Sequence, residues 1–240
     1  MSRTIGLIGG MSWESTAVYY RAINEMVRER RGGLSSADIL LHSVDFSAIV
    51  ALQKAGRWDL AAARLTEVAQ GLVRAGAGCI LICTNTMHLV ADEIARALPV
   101  PLVHIVDVVG HELKAAGMRR PLLLATRYTM EESFYRDRLQ ARFDIEAMVP
   151  DAGERTDVHD IIFDELCRGV VTPAARARYR EIMAAAAARG ADSVILGCTE
   201  IGLLVRAEDS PLPMFDSTLL HARAAVDFAD GALDIGRVAA

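Results

Sequence analysis

The sequence predicts an α/β protein of two similar lobes, each a mainly parallel sheet flanked by helices, with one cleft between them. Three observations carry that prediction. Short apolar runs alternate with helical patterns along the whole chain. The chain repeats itself: Gly76-Ala77-Gly78-Cys79-Ile80-Leu81-Ile82-Cys83-Thr84-Asn85-Thr86 aligns without a gap, at constant offset, with Gly190-Ala191-Asp192-Ser193-Val194-Ile195-Leu196-Gly197-Cys198-Thr199-Glu200. An apolar content of 52% in 240 residues supports a sizeable core, and 5% aromatics mean that Ala, Val, Leu and Ile build it.

The elements follow in order. Thr4–Ile8 reads as a strand, and Gly9-Gly10 as a turn. Ser12 to Arg30 is a helix capped by Ser12 or Ser15, with Glu14 in its first turn. Ile39–Val44 is a second strand. Trp58–Ala75 is an amphipathic helix with Leu60, Leu65, Val68, Leu72 and Val73 near one face. Cys79–Cys83 is a buried strand, Leu89–Ala97 a helix, Leu102–Ile105 a strand and Asp107–Ala116 a helix stopped by Gly117. The pattern then restarts with a strand at Pro121–Ala125 and a helix at Met130–Arg142, opened by Thr129 with Glu131 and Glu132 behind it. Ile145–Val149 is a strand, His159–Arg168 a helix closed by Gly169, and Pro173–Arg189 an Ala-rich helix with Pro near its first position. Ser193–Leu196 and Pro213–Phe215 are strands, and the last helix runs from Ser217 to about Ala232. The lobes are therefore expected at 1–117 with about 217–240, and at 118–216.

Composition excludes several classes. A formal charge of −5 with no long basic run argues against nucleic acid or an anionic membrane as partner. No apolar stretch is long enough to span a bilayer, and the N-terminus lacks a signal-peptide core, so a cytoplasmic location is expected. The cysteines Cys79, Cys83, Cys167 and Cys198 form neither a CxxC pair nor a zinc spacing, so no metal is expected. Gly6-Leu7-Ile8-Gly9-Gly10 is not the dinucleotide spacing, and its glycines serve a close ligand approach or a tight turn.

Both repeat copies end just past a strand's C-terminal end, where open α/β sheets bind ligands. The N–H groups of the helix that follows would hold a substrate carboxylate and draw a thiol's pKa from about 8.5 toward neutrality. In the repeat register Cys198 matches Thr84, not Cys83. Adjacent residues at a strand end point to opposite sides, so only one of Cys83 and Thr84 faces the cleft. The gapless register selects Thr84, and a one-residue bulge would select Cys83.

Gly6-Leu7-Ile8-Gly9-Gly10-Met11-Ser12-Trp13-Glu14-Ser15-Thr16, Thr84-Asn85-Thr86-Met87-His88 and Gly197-Cys198-Thr199-Glu200-Ile201 resemble the aspartate/glutamate racemase family. Thr126-Arg127-Tyr128-Thr129-Met130 and Ile161-Ile162-Phe163-Asp164-Glu165-Leu166-Cys167 extend the resemblance over almost the whole chain. It implies two pseudo-symmetric flavodoxin- or Rossmann-like lobes, a homodimer, and a racemase of aspartate or glutamate that needs no cofactor. In that family two cysteines, one per lobe, serve opposite faces of the substrate Cα. Here the residue preceding Asn85-Thr86 is Thr84, whereas the second cysteine is present as Cys198. The resemblance further implies a pocket lined by Met11, Ser12, Asn85, Thr86, Thr126, Thr129, Thr199 and Glu200. Gln53 and Arg168 are candidates for the distal carboxylate, although Arg168 at a helix end equally fits a dipole role.

A thiolate at Cys198 is a credible base, and Thr84 can donate a proton directly or through water. The lysines, Lys54 and Lys114, both lie away from strand ends, which counts against a Schiff-base cofactor. His88, four residues past Thr84, can orient a catalytic group or serve structure. His104, His111, His159 and His221 read as structural or surface residues, and Met11, Trp13 and Tyr128 as core or cleft walls. Two other functions compete with the racemase. One is a single-thiol lyase or isomerase of the same superfamily, similar to arylmalonate decarboxylase, in which a lone cysteine protonates an enolate. The other is a non-catalytic two-lobed amino-acid-binding protein.

Overall fold

The computed structural model describes residues 3–233 and 238–240. Strands β1 (Ile5–Gly9), β2 (Ile39–Ser43), β3 (Cys79–Ile82), β4 (Pro121–Leu124), β5 (Ser193–Leu196) and β6 (Met214–Asp216) alternate with helices. These are α1 (Trp13–Arg31), α2 (Phe46–Lys54), α3 (Trp58–Arg74), α4 (Ala91–Arg96), α5 (Ile105–Ala115), α6 (Arg127–Glu131), α7 (Phe134–Phe143), α8 (Ala152–Asp160), α9 (Pro173–Ala188), α10 (Ile201–Leu204) and α11 (Ser217–Ala229). No helix among the described residues is long and apolar enough to cross a membrane.

The described residues form two compact units, one running to Ile105 and resuming at Leu219, the other Val106–Thr218. In the first unit β1 pairs in parallel with β2 and β3, giving the order β2-β1-β3. Leu102 adds a single parallel bridge beyond β3, at Ile80. In the second unit the order is β4-β5-β6, all parallel, and Met148 bridges in parallel to Leu122 on the outer side of β4. With the bridging segments included, the two sheets have the same strand order. β1, β3, β4 and β5 are buried throughout because helices cover both faces of a parallel sheet.

The expected strands Leu102–Ile105 and Ile145–Val149 are thus reduced to isolated bridges, Leu102 with Ile80 and Val103 with Ala239 in the first and Met148 with Leu122 in the second. Pro101 and the start of α5 leave Leu102 little room, and Asp144, in the left-handed region, and Pro150 bound the other segment. The expected helix Met130–Arg142 is two, α6 and α7, parted where Glu132 turns extended. No Gly or Pro marks that break. The helix expected to start at His159 begins at Ala152 behind an Asp151/Glu154 capping box. It continues through a π turn (Ile161–Glu165) and a 3-10 turn (Leu166–Arg168). α2, opened by the Asp45 side chain accepting from the Ser47 N–H, was not foreseen. On α3 the buried face is Ala61, Ala62, Leu65, Val68, Ala69 and Leu72, whereas Leu60 is exposed.

α5 groups with the second unit, ahead of the boundary expected near Gly117. Asp107 of α5 is fully buried and accepts from Arg138 Nε and Nη2 at 2.7 Å and from Arg142 Nη1 at 2.6 Å. The His111 ring stands edge-on to Phe143 at 4.9 Å. Those contacts lock α5 onto α7. In the first unit α11 is held to α1 by Arg30, which donates to Asp227 at 2.6 Å and Asp230 at 3.1 Å. Deeper in, the Tyr19 hydroxyl donates to His221 Nδ1 at 2.8 Å, and His221 Nε2 donates to the Val103 carbonyl at 2.9 Å.

Burial pushes the His221 imidazole down from 6.5 to about 4. The unfolded chain therefore binds a proton that the fold refuses, and stability falls as pH drops from the unfolded value toward the folded one. The loss from this one group approaches about 3 kcal/mol at the acid end. Urea unfolding across that window should show a flatter pH dependence for His221→Gln than for the wild type. Equal slopes would mean that His221 is not held neutral.

Candidate functional site

In the first unit the parallel register pairs Ile8 with Ile82, so the segments after β1 and β3 leave the sheet side by side at its C-terminal edge. The first segment turns at Gly10, whose φ of +89° and contact with the Val44 backbone leave no place for a Cβ. Ser12 then caps α1, accepting from the Ser15 N–H at 3.4 Å. The Thr16 hydroxyl accepts from the Gly10 N–H at 2.8 Å and donates to the Ser12 carbonyl at 2.9 Å, which fixes the turn.

The second segment carries Cys83 and Thr84. The Cys83 N–H donates to the Ile8 carbonyl at 2.9 Å, and the Cys83 side chain is fully buried. Burial alone raises its thiol far above the usual range. Thr84 is half-buried at the strand end. Its backbone is held at both ends: the N–H donates to the Ile82 carbonyl at 2.8 Å, and the carbonyl accepts from His88 Nδ1 at 2.8 Å. Asn85, Thr86 and His88 are buried in the turn that follows.

The second unit repeats this backbone. The Gly197 N–H donates to the Leu124 carbonyl of β4 at 2.7 Å, as that of Cys83 does to Ile8 of β1. A Cβ at Gly197 would sit 2.9 Å from Leu123 Cδ1 and 3.0 Å from Ala125 Cβ, so the close approach requires glycine. Thr84 and Cys198 thus occupy the same backbone position in their own units. Cys198 is half-buried, and its thiol donates to Glu200 Oε2 at 3.0 Å. Glu200 and Thr199 are buried beside it. After β4 come Thr126 and Thr129, whose hydroxyls lie 3.3 Å apart, with Thr129 buried. The three-residue turn with Cys167 packs against α10, near enough for the Cys167 and Cys198 sulfurs to act on each other electrostatically.

The expected thiol activation is reversed. The Cys198 pKa is raised well above the usual value, first by burial and then by the Glu200 carboxylate as a neighbouring charge and as acceptor. The helix that follows is only Ile201–Leu204, and the one after β3 opens with a 3-10 turn at Thr86–Val90. So few aligned peptides make too small a dipole to oppose that burial. In the resting protein Cys198 is a neutral thiol.

The remaining expected site residues lie as follows. Met11 is buried in the apolar cluster of the first unit with Ile8, Val44 and Met87. Gln53 is buried on α2, its Nε2 3.2 Å from Met87 Sδ. Arg168 is exposed at its helix end, 3.8 Å from Asp164. Trp13 is exposed on the surface, and Tyr128 is half-buried beside the His159 ring. His104 and His221 are buried behind Thr84, in contact with His88, a grouping that no spacing in the sequence signals. The Cys198–Glu200 pair was legible only as adjacency. Among the described residues no three His, Cys, Asp or Glu side chains are grouped to hold a metal ion.

A family model described as Asp/Glu/hydantoin racemase matches residues 8–225. A candidate Asp/Glu racemase from Yersinia pestis is 49% identical, with a TM-score of 0.89 over 95% of this chain and 99% of its own. An aspartate racemase homologue from Pyrococcus horikoshii is 34% identical, with a TM-score of 0.84 over 96% of this chain and 100% of its own. Glutamate racemase from Francisella tularensis, solved with D-glutamate, shares the fold at 15% identity and a TM-score of 0.67, over 97% of this chain and 84% of its own. In sequence and in fold, this chain belongs to the Asp/Glu/hydantoin racemase family.

Proposed function

We propose that the protein is an amino-acid racemase that acts on aspartate or glutamate without a cofactor, with Cys198 and Thr84 serving opposite faces of the substrate Cα. The observation that carries this reading is the shared backbone position of the two residues. In each unit the N–H of the preceding residue bonds back to the neighbouring strand, at Ile8 and at Leu124. Each side chain is half-buried at the end of a parallel strand. Cys83 is a poor rival to Thr84, because burial holds its thiol protonated and closed to substrate.

The chemistry follows from the unequal pair. Glu200 accepts the Cys198 proton along their hydrogen bond. The thiolate then removes the α-hydrogen from one face, and the Thr84 hydroxyl, directly or through water, gives a proton to the other. Solvent carries the proton held by Glu200 back to the Thr84 oxygen, which restores the resting thiol, carboxylate and hydroxyl. In the reverse sense Cys198 is the acid and Thr84 the poor base, so turnover is slow and unequal at saturation while the equilibrium stays even. Ser12, Asn85, Thr86, Thr126, Thr129 and Thr199 supply donors for the α-carboxylate as carbanion charge develops. For the distal carboxylate the same reading keeps the two candidates taken from the sequence, Arg168 and Gln53. Solution as a homodimer in the cytoplasm belongs to the same reading. One observation favours a second function: the Cys198 thiol, donating to Glu200, still carries the proton that a lyase delivering one to an enolate requires.

Incubating each L- and D-amino acid, aspartate and glutamate first, in D₂O, and following Cα deuteration with chirality, separates the readings. Racemisation gives inversion with deuterium uptake. Exchange without inversion would mean a one-base site, and no exchange with any amino acid would leave the lyase or a binding protein. Thr84→Cys should raise turnover by at least about tenfold, and Cys198→Ala should lower it by about a thousandfold. No gain in the first variant would pass the second half-reaction to another group. Glu200→Gln separates charge from proton acceptance. Losing the carboxylate lowers the Cys198 pKa, so alkylation of Cys198 near neutral pH, read by peptide mass spectrometry, should speed up by about tenfold. Racemisation should slow in the same variant, because an amide takes no proton. Alkylation and racemisation moving in the same direction would sink this role for Glu200.

A further inference from the structure

Behind Thr84 the first unit buries four ring side chains from four separate segments: Tyr19, His88, His104 and His221. His88 stands edge-on to His104 at 4.8 Å and to His221 at 5.6 Å, and Tyr19 to His221 at 5.7 Å. Their hydrogen bonds set the tautomers. A carbonyl only accepts, so His221 Nε2 carries a hydrogen toward Val103, and His221 Nδ1 accepts from Tyr19. By the same logic His88 Nδ1 carries a hydrogen toward the Thr84 carbonyl, 2.8 Å away.

This arrangement has no copy in the second unit. In the repeat register the counterpart of His88 is Gly202, which has no side chain to reach back to the Cys198 carbonyl. Cys198 is instead held through its own side chain, by Glu200. The two equivalent positions are therefore oriented by different means: Thr84 through its backbone, Cys198 through its sulfur.

We propose that His88 is the positioning residue for Thr84: the ring cluster fixes the imidazole, and the imidazole fixes the Thr84 carbonyl and with it the aim of the hydroxyl. The inference rests on the racemase reading, and it adds that damage at His88 falls on the Thr84 half-reaction alone. The Cys198 face keeps its own exchange.

The test uses the full-length protein in D₂O and compares inversion with deuterium exchange that retains configuration. His88→Leu removes the donor, His88→Gln moves it to the place of Nε2, and His88→Asn keeps it at the place of Nδ1. The ratio of inversion to retentive exchange should fall about tenfold in the Leu and Gln variants and return most of the way in Asn. Thermal unfolding reports whether each variant folds, and the Asn–Gln comparison decides the matter if the Leu variant does not. A ratio unchanged in Gln, or inversion and exchange falling together, would reduce His88 to a packing residue and overturn the proposal. A wild type that neither inverts nor exchanges would instead remove the racemase reading itself, and the proposal with it.

Discussion

The main-chain hydrogen bonds that carry each central strand one residue past its end are the constraint on which the site depends. Cys83 N–H to Ile8 and Gly197 N–H to Leu124 extend the parallel ladder just beyond β3 and β5. Each bond turns one residue inward and the next outward, because successive side chains on extended backbone alternate. The inward position takes a buried Cys83 in one unit and, where the strands approach too closely for any side chain, Gly197 in the other. The outward position takes Thr84 and Cys198. A common backbone thus presents two chemically different groups.

That difference extends to the surroundings. Burial first, and then the Glu200 carboxylate that accepts from the thiol at 3.0 Å, raise the Cys198 pKa. Thr84 instead takes its direction from the turn behind it, which His88 closes by donating to the Thr84 carbonyl. The chemical difference between Thr84 and Cys198, read from one substitution in the repeat, is therefore matched by a difference in how the two residues are held.

The order of elements was largely legible because parallel α/β units write themselves plainly: buried strands appear as short apolar runs and helices as amphipathic stretches. The misreadings share a cause. Leu102 and Met148 lie in strand-like sequence but make single bridges, since pairing length is set by neighbours remote in the chain. The α6–α7 break at Glu132 has no glycine or proline to announce it. The docking of α5 on α7 turns on Asp107 meeting Arg138 and Arg142, pairs that no local pattern connects.

Sequence by itself determined the two-lobed α/β class, the repeat register, the family resemblance and the exceptional Thr84, because each is written in local pattern and in order along the chain. Tertiary structure alone decided the state of the thiol, the closure of Cys83 and the ring cluster behind Thr84. Those depend on burial and on partners brought together from distant segments: desolvation and the Glu200 charge reversed the expectation of an activated Cys198. Tyr19, His88, His104 and His221 look unrelated in sequence, and they become one assembly only when the strand end, α1 and α11 pack together.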